Sequence, residues 1–75
     1  MQSYKNDSGE SGVVAYAIDT GSITVEFAGG ERYLYTDASA GAANIARMQL
    51  LARAGRGLST FISQVVRAGY ARKFD

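Results

Sequence analysis

Within 75 residues there is no cysteine, no histidine, no proline and no tryptophan. Without cysteine no disulfide can form, and a zinc site built from Cys or His is excluded. Without histidine the Ser-His and Cys-His nucleophile pairs are gone, and general acid–base chemistry loses its usual agent. Nothing marks Glu26 or Glu31 as a perturbed carboxylate pair, and no cofactor fingerprint or metal-ligand cluster is present. The expectation is a protein that is not an enzyme, with no cofactor and no small-molecule substrate. No apolar run is long enough to span a membrane, and Met1 to Ser11 lacks the apolar stretch of a secretory leader. Cytoplasmic residence without membrane association is therefore expected, and the lack of cysteine agrees with it.

What is present suits one small folded domain. The hydrophobic fraction of 47% is enough for a packed core. A chain this short buries only about 60% of its unfolded surface, so a partner subunit is a natural source of extra stability. Net charge is +1, but residues 1–40 carry two cations against six acids, and residues 41–75 carry six cations against one. Such asymmetry suits an anion-binding face or, more simply, a solvated basic helix surface paired with acids on a sheet.

Residues 1–11 are polar and read as a flexible tail, with a single domain over 12–75. Val14, Tyr16 and Ile18 alternate, as do Ile23, Val25 and Phe27, which predicts two strands over 12–19 and 22–28. A two-residue Thr20-Gly21 turn would face Ile18 with Ile23, Tyr16 with Val25 and Val14 with Phe27. A third strand is expected over 31–36. A two-residue Gly29-Gly30 loop would bury Leu34. A three-residue loop with Gly30 at positive φ would pair Val25 with Tyr33 and Ile23 with Tyr35. The apolar area of two tyrosines favours the second register.

After Asp37 the period becomes helical. Ile45, Met48, Leu51 and Ala52 share one side of a helix expected over 40–54, capped by Asp37 or Ser39 and ended at Gly55. Leu58, Phe61, Ile62, Val65 and Val66 mark a second helix over 58–68. The fold class is α+β: a three-stranded antiparallel meander followed by a two-helix hairpin on one sheet face, in the order β-β-β-α-α. The expected core is Val14, Tyr16, Ile18, Ile23, Val25, Phe27, Ile45, Met48, Leu51, Phe61, Ile62, Val65 and Val66.

Three features could carry binding chemistry. Tyr33 and Tyr35 share a face and would stack on nucleobases if turned outward, or roof the core if turned inward. The segment Gly55-Arg56-Gly57-Leu58-Ser59 feeds a helix start, where backbone N–H groups suit an anion; Gly55, Arg56, Gly57 and Ser59 would line it, although most such turns only connect helices. The basic end places Arg67, Arg72 and Lys73 among Tyr70 and Phe74, a mixture suited to a nucleic-acid backbone or to aromatic packing with solvated cations.

The pattern Ile23-Thr24-Val25-Glu26-Phe27, Gly30 and Tyr33-Leu34-Tyr35, followed by Leu50-Leu51-Ala52, Gly57 to Ser63, Val66-Arg67 and Tyr70, resembles the KTSC family. That short domain is named for the C-terminus of some lysyl-tRNA synthetases and also occurs alone in bacteria and phages. The resemblance spans about residues 12–73. Asp37-Ala38 stands where the family has Val-Pro, 38–44 is longer than usual, and Ser59 or Ser63 stands where an Asn is common. It implies a non-catalytic module, and the family's link to a synthetase points to RNA. The nucleic-acid surface so expected comprises Arg53, Arg56, Arg67, Arg72 and Lys73 with Tyr33 and Tyr35. The alternative is a protein-interaction or self-associating module using the open sheet face, with Val13, Ala15 and Ala17, or a free sheet edge.

Overall fold

A computed structural model describes residues 1–6 and 12–74. The elements are β1 (Gln2–Ser3), β2 (Val13–Asp19), β3 (Ser22–Phe27), β4 (Arg32–Thr36), α1 (Asp37–Ala40), α2 (Ala42–Ala54), α3 (Leu58–Phe61), a π-helical turn (Ile62–Val66) and β5 (Arg72–Phe74). The fold is α+β, with an antiparallel sheet in the order β1-β2-β3-β4-β5.

The central meander follows the alternating sequence pattern. Tyr16 faces Val25 and Ile18 faces Ile23 across β2 and β3. Val25 pairs with Tyr33 and Ile23 with Tyr35, so the tyrosines share the core face. The register is set by a loop of three residues, 28–30. Phe27 N–H donates to Glu31 O, Gly30 N–H donates to Phe27 O, and Gly30 sits at φ +95. A side chain at Gly30 would be strained there, so glycine fixes the loop length and hence which face each tyrosine occupies.

The β-β-β-α-α order needs correction at both ends. Gln2 and Ser3, within the segment read as a tail, pair with Tyr16 and Ala15. Residues 7–11 of that segment lie outside the described residues. At the other end Arg72 to Phe74 pair with β4. Both added strands are too short to show a period in the sequence, and each is fixed by the strand it meets.

Thr36, not Asp37 or Ser39, caps the first helix. Its hydroxyl accepts from Ser39 N–H at 3.1 Å, and Ser39 Oγ accepts from Thr36 N–H at 3.0 Å, a reciprocal capping box. Gly41, at φ +96, breaks the run into α1 and α2. Gln49 ties α2 to the β2–β3 turn, its Nε2 donating to Asp19 O at 3.0 Å and Ser22 O at 2.9 Å.

Ile23, Val25 and Tyr35 from the sheet, Ile45 and Met48 from α2, and Leu58, Ile62 and Val66 from the last helical run form one core. Two expected members are outside it. Val14 is 42% exposed because a bulge places Val13, not Val14, opposite Phe27, and Val13 is fully buried. Val65 is 52% exposed because the chain after Phe61 winds as a π-turn, with Arg67 N–H donating to Ile62 O. That wider winding stacks Leu58, Ile62 and Val66 and turns Val65 away. Ile18, Phe27, Leu51 and Phe61 are partly buried against the core. An unexpected member is Tyr4, 6% exposed, whose hydroxyl accepts from Leu58 N–H at 3.3 Å.

Candidate functional site

At the β4–β5 side of the inner sheet face lies an open groove of about 520 Å³. Its floor is aromatic. Phe27 comes from the end of β3, Tyr33 and Tyr35 from β4, and Tyr70 from the segment that leads into β5. Strand alternation puts Tyr33 and Tyr35 side by side, their ring centroids 6.4 Å apart and nearly parallel at 29°. Tyr70 meets Tyr33 at 4.9 Å and Tyr35 at 6.3 Å, and Phe27 meets Tyr33 edge-on at 5.5 Å. Ile62 and Ala68 complete the apolar lining, while Glu31 and Arg67 provide its charged groups.

The floor residues are not equally accessible. Tyr35 is 2% exposed and belongs to the core. Burial, then the neighbouring Tyr33 and Tyr70 phenols, push its phenol up from 10.0 to about 12. Tyr35 therefore supports the groove from beneath and is not an outward stacking platform. Tyr33 is half-buried and Tyr70 is exposed.

Arg67 occupies an unusual backbone state, φ 53 and ψ −121. These are the angles of the first central residue of a type II′ turn, a position normally held by glycine. The turn is closed by Gly69 N–H donating to Val66 O at 3.0 Å. A non-glycine residue there carries strain of about 1–3 kcal/mol, and such strain concentrates at ligand-contacting positions.

Lys73 pairs with Tyr33 and shares its face, with Nζ 5.6 Å from the ring centroid. Arg72 and Phe74 point to the opposite face, where the guanidinium lies 5.3 Å from the Phe74 ring. Of the seven residues expected at a nucleic-acid surface, the structure thus brings Tyr33, Tyr35, Arg67 and Lys73 together. Arg72 is across the sheet from them. Arg53 lines a separate depression with Gln2, Tyr16 and Ile18, and Arg56 lies exposed in the α2–α3 turn.

The turn expected to hold an anion is occupied by the protein's own N-terminal segment. Leu58 N–H is bonded to the Tyr4 hydroxyl, and the Lys5 side chain lies against Gly55, leaving that glycine buried. Gly57, at φ +78, precedes α3 without a side-chain cap, and Ser59 is half-buried. The physical reason for the correction is that α3 docks on Tyr4 through the amide an anion would need.

Among the described residues no group of acids is arranged to hold a metal ion, and no helix is long and apolar enough to cross a membrane. Phe27, Glu31, Ile62 and Tyr70 are groove residues outside the expected nucleic-acid surface. Tyr70 stands in the aromatic-basic end already noted, but nothing in the sequence singles out Glu31. Compared with known protein families, curated proteins and solved structures, the chain matches none.

Proposed function

We propose that the protein is a non-catalytic cytoplasmic binding module of the KTSC type that takes single-stranded RNA in the aromatic groove. The observation that carries this reading is the joining of an aromatic floor with two cations, Arg67 and Lys73, at one end of one sheet face. Base faces stack on Tyr33 and Tyr70, and the cations neutralise phosphates on either side. The resemblance of Tyr33-Leu34-Tyr35 to the family's Tyr-x-Tyr strand supports it from the sequence side. Arg53, Arg56 and Arg72 are left out of this surface because they lie elsewhere.

Anisotropy of a labelled single-stranded RNA, titrated at several salt concentrations, tests the proposal. Two phosphate contacts should give a slope of log K against log salt near −1.4, at about −0.7 per contact. Arg67→Ala should flatten it by about one contact. No binding at low salt overturns the reading.

A second reading, self-association, rests on the outer sheet face, where Ala17 and Val14 are exposed with no helix over them. The β5 edge argues against pairing by strand addition, since it is three residues long and carries Arg72 and Lys73. Sedimentation at rising protein concentration separates the two.

A further inference from the structure

We infer that the groove prefers guanine among the four bases, with Glu31 as the residue that reads it; this rests on the RNA reading above. Glu31 is the acid among the groove residues, set just after the 28–30 loop, its carboxylate reaching over Gly29. It is half-buried, and among the described residues its carboxylate has no ion pair and no side-chain hydrogen bond. An acid facing a site for a polyanion is costly unless it meets donors on the ligand.

The arrangement of rings indicates what those donors belong to. A cage for an ammonium group needs rings held apart with a gap between them. Here Tyr33 touches both Tyr70 and Phe27, at 4.9 and 5.5 Å between centroids, so the rings form a floor on which a flat ligand lies. With Glu31 and Arg67 both bordering that floor, the complementary ligand is planar, offers donors at one edge and carries an anion beyond the other.

Among RNA bases, guanine fits this best. Its Watson–Crick edge presents two adjacent donors, N1–H and the N2 amino group, which a carboxylate accepts in parallel as charge-assisted bonds. Adenine and cytosine offer an amino donor beside a ring-nitrogen acceptor that repels the carboxylate. Uracil offers one N–H between two carbonyls that repel it. The neighbouring phosphate then falls to Arg67, whose fixed turn conformation holds the guanidinium root at the rim.

The test compares a short uridine oligonucleotide with versions carrying one central guanosine, adenosine, cytidine or inosine. The expected result is binding at least about tenfold tighter for guanosine than for uridine, as for a bidentate base contact. Inosine, which lacks the N2 amino group, should lose most of that gain. Glu31→Gln should abolish the guanosine preference while leaving uridine binding equal or slightly tighter, since one negative charge is gone. Equal binding of all the oligonucleotides, or a preference that survives Glu31→Gln, overturns the inference and leaves the RNA reading standing. No binding of any oligonucleotide overturns both.

Discussion

Both edges of the sheet end in a short strand, but the two are held by different means. β1 is two residues long and leads directly into a buried side chain, Tyr4, whose ring joins the core and whose hydroxyl caps α3. β5 is three residues long and wholly exposed; its side chains rest on rings at the surface, Lys73 on Tyr33 and Arg72 on Phe74. The first edge is part of what makes the domain stable. The second contributes little burial, and it brings Lys73 beside the accessible part of the aromatic floor. A strand that holds binding groups rather than core groups can shift on ligand contact at small cost to the fold.

Removing Tyr4 should break this comparison most severely. Tyr4→Ala deletes a buried ring and leaves the Leu58 amide without its acceptor, so a loss of about 3–5 kcal/mol is expected, most of the stability of a small domain. Thermal melting followed by circular dichroism measures it.

High pH should act next, through Tyr35. Its phenol is raised from 10.0 to about 12 in the folded state, so the unfolded chain gives up the proton first. Stability is fully present below pH 10 and falls as pH rises from 10 to about 12, by on the order of 1–2 kcal/mol. Tyr35→Phe should melt at the same temperature at pH 9 and pH 11 if this group carries the effect, leaving only the smaller contribution of other groups.

A smaller effect of opposite sign is expected at Arg67. Arg67→Gly relieves the turn strain and should raise stability by about 1 kcal/mol, less the entropy glycine costs in the unfolded chain. The same variant should weaken RNA binding. A variant that is less stable than the parent would remove the argument that the turn is strained.

Phe74→Ala should have the smallest effect, below about 0.5 kcal/mol, because the ring is exposed and touches mainly Arg72. A loss comparable to that of Tyr4→Ala would erase the distinction between the edges.

The parts legible in the sequence are those with a sustained local period. Val25, Ile23, Tyr33 and Tyr35 alternate over enough residues that burial of two rings decides the register. Ile45, Met48 and Ala52 repeat on one side of α2 and are buried there. Where the period breaks, the reading fails for a physical reason. One extra residue at Val14 exchanges the faces of Val13 and Val14, and nothing local announces it. The 3.6-residue repeat assigned Val65 to the core, whereas the wider turn after Phe61 turns it out. Tyr4 carried a faint signal as a lone aromatic in a polar stretch. The groove was only half legible, since it joins residues near 27, 31–35 and 62–70. Those segments meet only after β4 pairs with β5, a strand with no period of its own.

The π-turn also bears on how the sequence can tolerate length change. Such a turn accommodates one residue more than an α-helix spanning the same two packing anchors, here Leu58 and Val66. Deleting Ser63, an exposed member of that turn, would let the segment wind as regular α-helix and rotate everything after it by about 100°. The helical ladder would be more regular, yet the backbone reversal at residue 67 would start from the wrong azimuth and swing Tyr70 off the sheet. One surplus residue thus acts as a phase shift, linking the pitch of a helix to the placement of a binding wall several residues downstream.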